Sequence, residues 1–431
     1  MLYRTVITRA SRHIADRKPT LDQIGLVTTE LLKEEEMLVR MSRWVLLSGL
    51  AIAVLLISIG CGGGASEEGV VKIGFNDGIT GAIGSVGTPA FEGAQLAIDK
   101  INGAGGINVN GKKYKLQLVS YDNRGDPKEA VAITEKLITK DQVKFIFGLT
   151  SSPSAMPSQE ITNKNKVLAF SASTQIETIL GKPETAYLFK TLGGEGPPYG
   201  KAVGYVPWAV KKLGIKNIAL MSPLDVVGDT FDKLYAATFE ENGVKVVARE
   251  RFERAGADFY PQLTKIKAAN PEALAVSYTD EDALKVFRQA LELGVTKKLV
   301  GISSTTVAVA KEFQGKFTDY TFVISTRNFD TDDATIKQYL ADYKQKFGKD
   351  AGSSVYFSLY YYDPIMVLSK SMEKAGTVDN ADKIAEALRG MEYKGVMSYW
   401  VDPKINYFAH GFDVGYVGSD GKVNYDRVEV R

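Results

Sequence analysis

The stretch FIFGLTSSPSAMPSQEI (residues 145–161) decides the reading of the fold. Phe145 to Leu149 is an uninterrupted apolar run, the pattern of a strand buried on both faces. It ends in Thr150, Ser151 and Ser152, with Ser154 and Ser158 close behind, and a helical pattern follows. The same rhythm extends in both directions from Val70 onward. VVKIGF, YKLQLVSYD, VLAFSA, IALMSP, VKVVARERF, ALAVSY and KLVGIS read as strands. Between them PAFEGAQLAIDKIN, KEAVAITEKLITK, TFDKLYAATFEENG and EDALKVFRQALELG carry helical spacing. Buried strands separated by amphipathic helices predict an α/β fold with parallel sheets and crossover helices. A first run of units closes at YLFKTL, and a second opens after the glycine-rich GGEGPPYG, which marks a boundary between two lobes.

In open α/β sheets, ligands sit at the carboxyl ends of strands beside helix N-termini. A strand that opens into hydroxyls at that point offers free backbone N–H groups and O–H donors to an anion. A second such end follows in AFSAST (residues 169–174), so Ser151 and Thr174 are candidates to grip the two oxygens of one carboxylate. Serine and threonine are also ordinary helix caps. For either end alone the cap is the favoured reading; a hydroxyl-rich end in two consecutive units strengthens the binding reading.

Composition excludes several chemistries. Lys+Arg is 53 and Asp+Glu is 51, and residues 61–431 carry 45 of each, so the body has no electrostatic footprint for nucleic acid. The two histidines, His13 and His410, stand far apart, and Cys61 is the single cysteine. Zinc sites of the Cys/His kind, Cys–His nucleophiles and an intrachain disulfide are thereby set aside, and no enzyme, metal or cofactor is expected. The glycine cluster INGAGGIN lacks the last glycine of a dinucleotide fingerprint and follows a helix. GEGPPYGKA has phosphate-loop character, but its spacing is one residue too long and Ala202 stands in place of the magnesium-binding hydroxyl. Both read as turns. The acidic DTDD (residues 330–333) reads as a solvated helix start, and VYFSLYYYD (residues 355–363) as a core helix with one side toward a cleft.

The N-terminal region reads as an address. Arg40 and Arg43 precede an apolar or small run from Trp44 to Gly60, and Cys61 follows. The stretch resembles the lipobox of bacterial lipoproteins, with Ser58 where an aliphatic residue is usual. Residues 1–40 are expected to be a non-native or disordered extension, 41–60 a signal peptide, Cys61 the acylated residue and 61–69 a flexible tether.

From Val70 the chain resembles the solute-binding proteins of branched-chain-amino-acid-type ABC importers. The resemblance rests on FEGAQLAIDKINGAGGINVNGKKYKLQLVSYDNRGDPKEAV, FIFGLTSSPSAMPSQEI and LAFSAST, with the spacing of DFYPQLTKIKAANPEAL and VFRQALELGV. It implies two Rossmann-like lobes joined by a three-crossing hinge, the type I periplasmic binding protein fold. Lobe 1 takes residues 70–191 and 327–413, and lobe 2 takes 192–326 and 414–431. It also implies a monomer without catalysis that captures a small carboxylate or amino-acid-like ligand outside the membrane and delivers it to a permease. Ser151, Ala172, Ser173 and Thr174 stand where the family holds its ligand's carboxylate. Family pocket tyrosines fall on Val86, Val227 and either Tyr278 or Thr279, Phe357 keeps an aromatic, and the family's ammonium-binding glutamate falls on Ser303. Asp280 and Asp122, each at a strand end, are the candidates to replace that acid. The family's cysteine pair falls on Gly125 and Thr150. A ligand-sensing receptor with the same body is the rival reading.

Overall fold

The computed structural model describes residues 68–430 except 174–178, 255, 279, 304–306, 314, 325–326 and 351–354. The expected extension, signal peptide and Cys61 lie outside the described residues, and β1 takes the last residue expected of the tether, Gly69. The chain opens with β1 (Gly69–Asp77), α1 (Gly84–Gly103), β2 (Ile107–Val109), β3 (Lys112–Asp122), α2 (Pro127–Thr139), β4 (Phe145–Gly148), α3 (Ser152–Lys164), β5 (Leu168–Ser171) and β6 (Leu188–Lys190). A second series follows: α4 (Lys201–Leu213), β7 (Asn217–Pro223), α5 (Val226–Glu241), β8 (Lys245–Phe252), α6 (Tyr260–Ala268), β9 (Ala273–Tyr278), α7 (Asp280–Leu293), β10 (Lys298–Ser303), α8 (Val307–Glu312) and β11 (Asp319–Ile324). The chain then adds α9 (Ala334–Phe347), a 3-10 turn (Val355–Tyr360), α10 (Tyr362–Ala375), α11 (Ala381–Leu388), β12 (Glu392–Tyr393), β13 (Tyr399–Asp402) and β14 (Tyr407–Ala409), and closes with β15 (Phe412–Gly418) and β16 (Val423–Val428).

These strands form two sheets, ordered β12-β13-β14-β6-β5-β4-β1-β3-β2 and β16-β15-β11-β10-β9-β7-β8. The successive βα units pair in parallel through crossover connections, and antiparallel strands are added at the edges. The chain passes between the sheets after β6, after β11 and between β14 and β15. The second sheet resumes at Phe412, two residues before the expected lobe boundary. VYFSLYYYD is the 3-10 turn running into α10, whose break at Tyr361 frees that side chain from a regular helical face. Asp333 caps α9 by accepting from the amides of Thr335 and Ile336.

Register orders the core of the first sheet. Phe75, Phe147, Phe170 and Phe189 are mutual partners across β1, β4, β5 and β6, and none is more than 1% exposed. Phe147 stacks on Phe170 at 4.3 Å, and Phe170 on Phe189 at 5.5 Å. Tyr361 meets Phe75 and Phe147 edge-on at 5.8 and 5.9 Å. Each such ring contributes roughly 1.5–3 kcal/mol by leaving water, and each ring pair about 0.5–1.5 kcal/mol more.

The crossings are tied together by polar groups. Gly193 donates its N–H to His410 Nε2 at 2.8 Å, so His410 Nδ1 carries the proton and donates to the Gly411 carbonyl at 2.8 Å. Gly194 donates to the Tyr407 hydroxyl at 2.6 Å, Lys201 pairs with Glu195, and Tyr235 donates to Glu195 at 2.8 Å. Asp413 receives Arg427 at 3.0 Å, Arg327 at 3.5 Å and the Asn328 amide at 2.6 Å. Burial pushes the His410 imidazole down to about 4 against its bond to Gly411, and the charges of Arg427, Lys190 and Lys201 push the same way.

The unfolded chain takes up the His410 proton near 6.5 and the folded chain only near about 4. The contribution of neutral His410 is therefore whole above 6.5, falls between, and is gone below about 4, roughly 3 kcal/mol in all. Buried Asp77 and Asp363, each raised to about 6, act with the opposite sign over much of the same window. The measurement is the difference between two melting profiles from about pH 7 to about pH 4. The unmodified protein should lose melting temperature more steeply on acidification than His410→Phe, which removes the titrating group; parallel profiles would contradict this account.

Candidate ligand site at the strand ends

One residue beyond the phenylalanine row, Asn76, Gly148, Ser171 and Lys190 form the next row in register, at the carboxyl edge of the sheet. Here β4 leaves the sheet through two left-handed residues, Gly148 (φ 115°) and Leu149 (φ 56°). A Cβ at Gly148 would lie 2.3 Å from the Asn76 carbonyl oxygen, so this position takes only glycine. The Leu149 backbone costs on the order of 1 kcal/mol. The turn is held by the Leu149 N–H on the Asn76 carbonyl at 2.8 Å and by the Ser171 hydroxyl on the Leu149 carbonyl at 2.9 Å. It sends Thr150 over Asp77 and brings Ser151 to the mouth of α3.

Ser151 is the N-cap residue of α3, with extended backbone (φ −74°, ψ 126°), yet its side chain makes no capping hydrogen bond. By comparison Asp126 and Asn380, at the same position of α2 and α11, accept from helix amides in the ordinary way. Ser151 is half-buried and its hydroxyl stands uncommitted to the helix. Ser152 and Ser173 join the two strand ends by a hydroxyl contact of 2.7 Å. Ala172 and Ser173 are buried just past β5, and the Ser173 amide donates to the Ser171 hydroxyl at 3.1 Å. Thr174 lies outside the described residues.

Three side chains beneath these loops were not marked as candidates in the sequence. Lys190 is fully buried at the end of β6 and donates to the Ser173 carbonyl at 2.7 Å, which puts a cation beside a strand end read from sequence as hydroxyl alone. Tyr361 sends its hydroxyl under both loops, to the Gly148 carbonyl at 2.7 Å, Thr150 Oγ1 at 3.0 Å and the Ala172 amide at 3.3 Å. Asp77 closes the set: it accepts from the Gly78 amide at 3.0 Å, the Thr150 amide at 3.3 Å and the Thr150 hydroxyl at 2.5 Å. Burial raises its carboxyl to about 6 despite these donors, and the nearby Asp122 adds to the rise. The sequence signal for Asp77 was its place at a strand end; nothing local distinguished Tyr361 from the tyrosines around it.

The remaining candidates fall on other edges. Val86 is half-buried in the first turn of α1, and Phe357 packs on Tyr356 at 4.0 Å and Tyr360 at 5.3 Å in the 3-10 turn. In the second sheet, Tyr278 and Ser303 are register partners at the carboxyl ends of β9 and β10. Asp280 opens α7 and Val227 is the second residue of α5. Thr279, and the side chains of Val227, Tyr278, Asp280 and Ser303, lie outside the described residues. Asp122 is not a free acid: it accepts from the Thr80 hydroxyl, the Thr80 amide at 3.2 Å and the Arg124 amide at 2.9 Å. Against the upward push of burial, these bonds hold its carboxyl below the usual range, and they fix it as the clasp of the turn after β1.

Residues 70–422 match the periplasmic binding proteins. The chain belongs to that family. It is 28% identical over 327 residues to the leucine-, isoleucine-, valine-, threonine- and alanine-binding protein of Pseudomonas aeruginosa, spanning 75% of this chain and 83% of the relative. It is 25% identical over 347 residues to Leu/Ile/Val-binding protein homolog 3 of Brucella melitensis, spanning 80% and 88%. Among solved structures, the branched-chain amino acid transporter substrate-binding protein of Streptococcus pneumoniae in complex with isoleucine superposes with a TM-score of 0.63 at 24% identity, covering 83% of this chain and 99% of that one. A solute-binding protein of R. palustris in complex with benzoate gives 0.62 at 16%, covering 84% and 96%. These structures share the two-lobe α/β fold of a binding protein for ABC import. Among the described residues no helix is long and apolar enough to cross a membrane, and no group of three His, Cys, Asp or Glu side chains is placed to hold a metal.

Replacing Ser151 by alanine separates ligand donor from cap. A hydroxyl that donates to a desolvated carboxylate contributes about 1–3 kcal/mol to binding, and loss of a working cap costs about 1 kcal/mol of stability. Because the Ser151 side chain caps nothing, Ser151→Ala should weaken carboxylate binding by about tenfold or more and leave the melting temperature within about 1 °C. A lowered melting temperature with intact affinity would assign the hydroxyl to the helix.

Proposed function

We propose that this protein captures a small carboxylate between its two lobes outside the cytoplasm and delivers it to the membrane subunits of an ABC importer. The observation that carries the reading is the pair of adjacent strand ends, with the Ser151 hydroxyl unused by its own helix and Lys190 buried beside Ser173. The ligands named for the superposable structures, isoleucine, benzoate and 3,4-dihydroxybenzoic acid, differ in body and amine but share a carboxylate. Ser151, Ala172, Ser173 and Thr174 would hold that group. Residues 69–190 with 327–409, and 201–324 with 412–428, would be the two bodies that close on it.

The rest of the ligand is read from what stands opposite. A buried ammonium without an acidic partner costs several kcal/mol. Ser303 stands where the family places its glutamate, and Asp122 is committed to Thr80 and Arg124. Asp280 is the one acid left from the sequence candidates to receive an amine. The proposed ligand is a carboxylate without a free α-amino group, bulky enough to fill the room left by valine at positions 86 and 227; the alternative is a ligand whose amine is held differently, by Asp280. Acylation of Cys61 would attach the protein to the outer face of the cytoplasmic membrane, since two or more chains give stable attachment where one does not.

Two measurements test this reading. Calorimetry against leucine, isoleucine, valine, benzoate and aliphatic acids should show tight binding of a non-amino carboxylate, with compaction in small-angle scattering at saturation. Tight leucine binding that is lost in Asp280→Asn would overturn the ligand assignment and identify the replacement acid. In a bacterial host the protein should partition into detergent and Cys61→Ala should not; unchanged partition and mass would remove the anchor.

A further inference from the structure

We propose that Asp77 is a positioning residue for anion capture and works as a neutral carboxylic acid, so that binding of the ligand's carboxylate is coupled to a proton held inside the protein. The inference rests on the reading of Ser151 and the end of β5 as the carboxylate site.

The argument starts from counting hydrogens. Three oxygen–oxygen contacts run in series beneath the site: Asp77 Oδ2 to Thr150 Oγ1 at 2.5 Å, Thr150 Oγ1 to Tyr361 Oη at 3.0 Å, and Tyr361 Oη to the Gly148 carbonyl at 2.7 Å. Each needs one hydrogen. Threonine and tyrosine bring one each, and the peptide carbonyl brings none. With Asp77 ionised, Thr150 donates to Asp77 and Tyr361 to Gly148, which leaves two hydroxyl oxygens facing each other at 3.0 Å with nothing between them. A proton on Asp77 Oδ2 supplies the missing hydrogen. Asp77 then donates to Thr150, Thr150 to Tyr361 and Tyr361 to Gly148, in one direction. Asp77 Oδ1 keeps the amides of Gly78 and Thr150. The Ala172 amide keeps the second lone pair of Tyr361.

The surroundings favour the same state. Asp77 and Tyr361 are both fully buried. Among the described residues, the charged or titratable groups facing Asp77 are Asp122 from the end of β3, a like charge, and Tyr361 from the start of α10. Among the described residues, the loops of β4 and β5 bring only Thr150 and backbone. The cation of this edge, Lys190, is turned to the Ser173 carbonyl. Burial thus leaves the carboxyl half-titrated near about 6 with no ligand present.

The consequence for the ligand follows from position. Thr150 precedes Ser151 and Ala172 precedes Ser173, so the hydroxyl series adjoins the described residues that would touch the anion. An ionised Asp77 places a second negative charge there and removes a hydrogen from the series that shapes both loops. A bound carboxylate favours the proton on Asp77 in return, because the coupling is reciprocal. Below the titration of Asp77 the site is ready for an anion; above it, binding must draw a proton from solution.

The experiment uses the full chain with benzoate, a carboxylate without an amine. Its affinity and the protons taken up are measured by calorimetry from about pH 5 to about pH 8, where a carboxylate ligand stays ionised. One unit of coupling gives about a tenfold loss of affinity across this window, with proton uptake greatest near its middle, between the ligand-free and ligand-bound titrations of Asp77. Asp77→Asn keeps a donor toward Thr150 and an acceptor for the two amides without titrating. It should bind benzoate as tightly as the unmodified protein does at the acid end, at every pH. Asp77→Ala should bind weakly throughout. A flat profile in the unmodified protein, or the same slope in Asp77→Asn, overturns the proposal. Carbon-13 carboxyl resonances of the ligand-free protein, assigned by difference with Asp77→Asn, give a reading that needs no ligand. Titration of Asp77 in the ordinary aspartate range overturns the proposal even if benzoate binds. Titration near about 6 with no carboxylate bound at any pH instead overturns the carboxylate site, and the coupling with it.

Discussion

Four parallel strands held in one register by four phenylalanines are the constraint on which the rest of the first sheet depends. Phe75, Phe147, Phe170 and Phe189 lie side by side on one face. A slip of one residue in any of these strands would turn its ring to the other face. Because this row cannot slip, the next residue of every strand is also fixed, and the row Asn76, Gly148, Ser171 and Lys190 follows from it. Tyr361 reads both rows. Its ring packs edge-on against two phenylalanines, and its hydroxyl passes beyond the apolar layer to the loops that leave it. The candidate site is in this sense a product of core packing: its hydroxyls and amides are placed by rings that never touch a ligand.

The junction between the sheets is built differently. Among the described residues it has charge pairs and single hydrogen bonds: Glu195 with Lys201 and Tyr235, Asp413 with Arg327 and Arg427, and His410 between two crossings. Arg427 of the last strand also reaches the Met397 carbonyl in the first body at 3.1 Å. Directional contacts of this kind are made or lost within small displacements, whereas packed aromatic cores resist deformation. The division fits two rigid bodies with a polar joint.

Much of this was legible in the sequence, for physical reasons that can be named. Period and punctuation marked β4 and α3, because a strand buried on both faces must be apolar throughout and must end where hydroxyls begin. The division into two lobes was visible at GGEGPPYG, since a long glycine- and proline-rich segment fits no βα unit. The helix after β4 starts at Ser152, ahead of the pattern visible beyond the serines, because Pro153 and the serines hide the apolar spacing of its first turns. What stayed hidden depends on contacts across long separations. Lys190 ends an ordinary strand, and only the parallel pairing of β6 with β5 brings its ammonium to Ser173. Tyr361 lies more than two hundred residues from Thr150 and Gly148, within a run of three tyrosines that local pattern treats alike. Asp122 was overvalued for the converse reason: a strand-end carboxylate looks available until the neighbouring turn is seen to use both of its oxygens.

The third crossing contains only His410 and Gly411, between Ala409 and Phe412. So short a link works as a fulcrum, and little besides the backbone torsions of these two residues can absorb a rotation of one sheet against the other. All three crossings leave from β6, β14, β11 and β15, which cluster toward one end of each sheet. With strands about 4.8 Å apart, leverage grows strand by strand from there, through β5 and β4 to β1, β3 and β2 on one side and through β10 and β9 to β7 and β8 on the other. Optical labels meant to report motion therefore belong on β2 and β8, where travel is greatest, while the same labels near β14 and β15 would stay almost silent.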